Sequence, residues 1–321
     1  MMRIVDRRGT ASIGVGVARA ALRRAGRLSS TLPFAAMVVG LLVPSATDML
    51  FAQLPLVSAA TVFCGLMAME AGAGLAADWR IALRLLPLLS LLAAAPAWAI
   101  GMLLGAGPEA SAWMALMASA PVSALAVANT ASLGLPARAI ALLVLVGTLA
   151  APLTLPLVAW IFAAGTRIGP VEVAQRAMLV VLVPAVLAFG LRRIAPLRDG
   201  AILTRADWRG ITTLSLMVLA LARMHQIGPQ IGLDPAGAAW AALLGCVSCG
   251  TGALLALLMP GPAGWRGGVL AGGCRGGALV WALTAPFLPP AGHLFMALTI
   301  LPIYGIPVLV TLLGRFPGTV R

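Results

Sequence analysis

Lysine is missing from this chain of 321 residues: all 22 basic residues are arginine. Acids are few, nine in all and scattered one at a time, and the only histidines are His225 and His293. Charged residues make up 10% of the chain and aromatic residues 5%. These shortages exclude much chemistry. Scattered acids cannot form the aspartate clusters of an intramembrane prenyltransferase. There is no His-Glu-x-x-His, no Gly-x-Ser-x-Gly and no P-loop, and Ser248 with a distant His293 makes a weak protease pair. The four cysteines include Cys246-Val-Ser-Cys249, whose thiols share one helix face, but no further zinc ligands lie near them. Small residues at a helix–helix contact are the simpler reading of that pair. The chain therefore reads as a non-enzyme with no cofactor and no metal, and any transport it performs is secondary.

What it has in abundance is apolar surface. Hydrophobic residues make up 61% and the mean hydropathy is +1.03, more than a soluble domain needs, so an all-α membrane protein is expected. The net charge of +13 does not imply nucleic acid, because the arginines sit in short gaps between apolar runs. Spans of about 20 residues fall near 32–50, 53–72, 85–106, 110–133, 138–164, 172–190, 208–228, 236–259, 267–287 and 291–313. With ten spans, 18 of the 22 arginines fall on one side, seven of them between Arg3 and Arg27, while the opposite loops carry Arg167 and Arg176. By the positive-inside rule this predicts an inner-membrane, multi-pass chain with both termini cytoplasmic. Residues 1–30 read as a basic cytoplasmic tail, a disordered topology signal in preference to a surface-lying amphipathic helix. Residues 31–165 and 166–321 read as two five-span repeats, inverted because an odd number of crossings reverses the second.

One device appears in both halves. Ser119-Ala-Pro-Val-Ser-Ala-Leu-Ala-Val-Ala-Asn129 interrupts the fourth span, and Gly272-Gly-Cys-Arg-Gly-Gly277 interrupts the ninth. Each is followed by a span with two prolines, Pro152 and Pro156 in one half and Pro302 and Pro307 in the other. Paired interrupted spans point to a transporter's binding site, with the two breaks crossing at mid-membrane and free half-helix ends offering unpaired N–H groups.

These residues resemble the bile acid:sodium symporter family, through Phe63-Cys-Gly-Leu-Met-Ala-Met-Glu70, Ala120-Pro121 through Pro156, and Arg275 through Pro307. The resemblance implies ten spans, with spans 1–2 and 6–7 in one subdomain and 3–5 and 8–10 in the other, and transport of a small organic anion. The polar positions depart from the sodium-coupled pattern. Ala126, Val127, Ile140, Val144 and Val280 stand where that resemblance would place sodium ligands, and Thr284 and Ala285 where it would place Gln-Asn.

The expected substrate site comprises Pro121, Ser123, Asn129, Arg275, Gly276, Gly277 and Thr284. Arg275 lies about nine residues into its span, where an idle charge is costly. A planar guanidinium there suits a carboxylate through bidentate bonds, or it caps carbonyls freed by the break. Glu70 reads as a loop-facing or snorkelling acid, with proton coupling the alternative. Arg223 and His225 read as interface residues reaching water, and His293 as a loop residue. The expected function is alternating-access transport of a small organic anion across a lipid bilayer, with weak or no sodium coupling. That reading leaves the coupling ion open between proton and sodium. The alternatives are a transport-dead sensor or assembly subunit on the same fold, or an arsenite-type exporter.

Overall fold

The computed structural model describes residues 7–28, 31–69, 75–132, 135, 137–194, 203–225, 227–258 and 265–314. The chain is 85% helical, without strands among the described residues. Among the described residues, five helices are long and apolar enough to cross a membrane: Trp79–Leu103, Ala137–Phe162, Pro170–Leu191, Arg205–Leu233 and Pro235–Leu257. They mark the chain as a multi-pass membrane protein. Their outward faces carry large apolar side chains such as Leu153, Trp160, Leu179 and Val186, each about two-thirds exposed or more, a pattern that water would oppose.

Prolines explain why other apolar stretches are shorter. The stretch expected at 32–50 forms two helices, Thr31–Leu42 and Pro44–Ala52, parted at Val43. Pro44 supplies no backbone donor and is best accommodated in a first turn. The next helix, Leu54–Ala68, likewise begins with a proline in its first turn. Widened turns at Leu88–Leu92 and Met178–Leu182 sit beside Pro87 and Pro184, and prolines and such turns are both places where helices bend. Glu70 lies outside the described residues.

The amino-terminal stretch differs from the disordered tail expected of it. Arg7–Arg27 is a helix that packs along Arg205–Ala222 and turns by 86° into Thr31–Leu42. Its anchor is Asp207, fully buried, which accepts from Arg23 Nε at 3.1 Å, with Arg19 Nε at 4.0 Å. The same carboxylate closes a capping box with Thr204 at the head of its own helix. The sequence reading missed this because Asp207 is one isolated acid, and its partners lie about 180 positions away.

Most of the helices sort into two packed groups, which Pro170–Leu191 joins, its first half against Ala137–Phe162 and its second against Leu54–Ala68. In the first, Arg205–Ala222 packs against Thr31–Leu42 and Leu54–Ala68, and Leu54–Ala68 against Val183–Leu191. In the second, Pro235–Leu257 packs against Gly107–Ala118, Trp265–Gly273 and Pro290–Leu298, and Ala137–Phe162 against Leu75–Pro87 and Ala124–Ser132. The most buried stretches of the molecule belong to the two interrupted helices: every residue from Ser111 to Val122 is buried, and every residue from Leu279 to Thr284. The interruptions therefore lie at the centre of the fold.

Candidate functional site

The first interrupted helix consists of Gly107–Ala118 and Ala124–Ser132, the second of Trp265–Gly273 and Gly277–Thr284. Both breaks occur where Pro and Gly predicted them. They also satisfy each other. The Ser123 N–H donates to the Cys274 carbonyl at 2.8 Å, and the Gly276 N–H to the Pro121 carbonyl at 2.7 Å. Val122 and Arg275 thus form a one-residue antiparallel bridge. Backbone groups released by the breaks would otherwise stay unpaired in an apolar interior, at a cost of a few kcal/mol each. Gly276 permits the approach, because a Cβ there would lie 2.9 Å from the Pro121 carbonyl oxygen.

Arg275, itself one of the two bridge residues, is 1% exposed. Its Nη1 donates to the Ala120 carbonyl at 3.1 Å, capping the break, while Nε and Nη2 make no hydrogen bond. The guanidinium lies against Gly252, at a point where Gly252 and Gly272 bring two helix backbones together. Both of the roles expected for this arginine thus have a basis in the structure: one nitrogen serves the backbone and two remain without partners.

Arg223 overturns the expectation that it reaches water. It sits one residue past the Arg205–Ala222 helix and is 5% exposed. Its Nη2 donates to the Met296 carbonyl and, at 2.8 Å, to the Thr299 hydroxyl. Its Nε has no partner, and its guanidinium lies 5.7 Å from the Trp281 ring centre. Little in the sequence marks this, since the polar His225 and Gln226 and the turn-forming Gly228-Pro229 follow it closely.

Arg223 and Arg275 line one cavity of about 60 Å³, together with Pro33, Ser123, Leu125, Leu216, Leu219, Ala220, Gly276, Gly277, Ala278, Ile300, Ile303 and Tyr304. That volume holds about two waters at liquid density. Pro33 and Leu216–Arg223 come from Thr31–Leu42 and the Arg205–Ala222 helix with the residue after it, and the remainder from the two interrupted helices and the last helix, Ile300–Gly314. Among the described residues no carboxylate pairs with either arginine. Two buried cations therefore stand beside the cavity, the Arg275 guanidinium being turned to Ala120 and Gly252, which are not among its walls.

Of the expected site residues, Ser123, Arg275, Gly276 and Gly277 line this cavity, and Pro121 supports it through its carbonyl. Ser123 also receives the Leu125 N–H at 3.3 Å, heading the second half-helix. Asn129 is turned instead toward the Cys274 thiol. Thr284 is fully buried and bonds the Val280 carbonyl within its own helix, away from the cavity. Ala126, Val127, Ile140 and Val144 pack into one apolar cluster with Val122 and Cys274, so carbon fills the places where the resemblance looked for ligand oxygens.

His293 also differs from expectation. His293 lies inside the Pro290–Leu298 helix, and its Nδ1 accepts the Trp281 Nε1–H at 2.9 Å. His225 contacts Asp48 at 2.7 Å and stacks on Phe51 at 4.5 Å, and Phe51 also meets the rings of Trp281 and His293. This aromatic cap joins both histidines to the ring beneath Arg223. Among the described residues there is no group of acids, histidines and cysteines able to hold a metal ion. No protein-family model matches the chain, and no curated protein matches it significantly.

Proposed function

We propose that this chain is a secondary transporter of a small organic anion, of the bile acid:sodium symporter type, working by alternating access in an inner membrane. One observation carries the reading: two buried arginines without carboxylate partners line a cavity at the meeting of two helix breaks, between two packed helix groups. A buried arginine without a carboxylate partner costs several kcal/mol in an apolar interior, and an anion bound in the cavity beside it would offset part of that cost. Rocking one helix group against the other would open the cavity to one side and then the other.

The proposed topology is ten spans in two inverted five-span repeats with both termini cytoplasmic. It is supported by helical segments in all ten expected stretches, the shorter ones being divided by Pro and Gly, and by the arginine bias between loops. Sodium coupling is weak or absent in this proposal, because carbon side chains stand where the resemblance would put sodium ligands.

Purified protein in proteoliposomes tests the reading. Radiolabelled small carboxylates should accumulate in exchange for internal carboxylate. Replacing sodium by choline at equal ionic strength should change uptake by less than about twofold, since an ion without differential binding shifts no equilibrium. Absence of carboxylate binding and of uptake would refute an anion transporter. A strong sodium requirement would refute the uncoupled form.

A further inference from the structure

We propose that His293 is a proton-binding residue that holds Trp281 against Arg223 only while it is neutral, so that taking up a proton loosens the contact between helix groups beside the cavity. On the anion-transporter reading above, this makes the proton the ion that acts on the site; the proton site itself stands without that reading.

The direction of one hydrogen bond carries the inference. An indole nitrogen can only donate, so the 2.9 Å contact between Trp281 Nε1 and His293 Nδ1 fixes a lone pair on Nδ1. The single proton of the neutral imidazole then sits on Nε2. A second proton would have to enter at Nδ1, directly against the indole N–H. Trp281 is 1% exposed, so its N–H would be left buried without an acceptor. His293 is only half-buried, so protons reach it from water.

Trp281 and His293 meet the first helix group at this point. The Trp281 ring lies 5.7 Å from the Arg223 guanidinium and 5.6 Å from the Phe51 ring. Arg223 lines the cavity, and Phe51 belongs to Pro44–Ala52, which packs on Arg205–Ala222. Phe51 also meets His293 edge-on at 5.5 Å and stacks on His225. A proton on His293 would therefore add a cation near Arg223 and remove the bond that orients the ring lying against it. The elements packed on Pro290–Leu298 are Gly107–Ala118, Ile227–Leu233, Pro235–Leu257, Gly277–Thr284 and Ile300–Gly314. With the residue that caps Pro235–Leu257 they carry Glu109, Asp234, Cys246, Cys249 and Tyr304, and the aromatic cap adds Asp48, Arg223 and His225. Among these, His225 acts on His293 electrostatically, and the Asp48 carboxylate is engaged by His225 at 2.7 Å.

The test is the pH dependence of thermal unfolding of the purified full-length protein in detergent. A histidine freed by unfolding titrates near pH 6.5, and each pH unit below that favours the state that takes up the proton about tenfold. Between about pH 7.5 and about pH 5, the ratio of folded to unfolded wild type should therefore fall up to about thirtyfold further than that of His293→Gln. Glutamine keeps an acceptor oxygen for the indole N–H and does not titrate, so His293→Gln should match wild type at the upper end of the range. Trp281→Phe removes the donor, and its profile should run parallel to that of His293→Gln. If His293→Gln fails to fold, the Trp281→Phe profile set against wild type decides the matter. A folded His293→Gln or Trp281→Phe whose stability falls with acid as steeply as wild type would overturn the inference, because a merely structural role lowers stability equally at every pH. No anion enters the measurement, so that result would leave the transporter reading intact, and a failed carboxylate uptake assay would leave the proton site intact.

Discussion

Gly252→Ala separates the packing at the site from ordinary helix propensity. Gly252 lies in the Pro235–Leu257 helix, where its backbone meets that of Gly272. A methyl group there would come within 2.5 Å of Arg275 Nη2 and 3.0 Å of its Nε, and closer still to the Gly272 carbonyl oxygen. The carbonyl belongs to the neighbouring helix backbone and cannot turn aside. The two helices would have to part by roughly 1 Å to restore van der Waals contact. Replacing Gly by Ala in a helix contributes about 1 kcal/mol of stability through propensity, whereas overpacking costs about 1–3 kcal/mol. The net expectation is a loss of up to about 2 kcal/mol, together with displacement of the Arg275 guanidinium. Gly250→Ala is the matched control: it lies in the same helix, two residues earlier, and a Cβ there meets nothing within 4 Å. Thermal unfolding of both variants in detergent should show Gly250→Ala at or above wild type and Gly252→Ala below it. Gly252→Ala should also lose anion affinity, which Gly250→Ala should keep. Equal melting temperatures for the two variants would refute the close approach of the Gly252 and Gly272 backbones.

Other perturbations probe the remaining contacts. Arg275→Lys keeps the charge but loses the planar fork, so anion affinity should fall about tenfold with folded yield near wild type, whereas Arg275→Leu should abolish binding. Collapse of yield in both variants would instead assign Arg275 wholly to capping the Ala120 carbonyl. Asp207→Ala removes the capping box and the partner of Arg23; loss of the cap alone costs about 1 kcal/mol. The amino-terminal helix should then detach, and trypsin should cut after Arg19, Arg23 and Arg24 faster than in wild type; an unchanged cleavage rate would show that apolar packing alone holds that helix.

The sequence by itself determined the class and the places of rupture. An excess of apolar residues can be satisfied only by membrane-crossing helices, and Pro121 and the Gly272–Gly277 run deny a continuous helix its donors and its propensity wherever they fall. These are local properties, and they were legible one residue at a time. Arg275 stood out for the same reason, as a charge inside a span. The tertiary structure decided everything that depends on meeting. Arg223 looked like an interface residue because burial is a property of neighbours, and its neighbours, Met296, Thr299 and Trp281, come from other helices. Asp207 was one acid among nine until the amino-terminal helix folded over it. Thr284 qualified as a site residue by its depth and polarity, but its hydroxyl is consumed by the carbonyl one turn back, and helical phase turns it from the cavity. The two breaks could each be predicted separately. Their mutual hydrogen bonds, which make them tolerable in an apolar interior and set Arg275 beside a cavity shared with Arg223, arise only when segments about 150 residues apart come together.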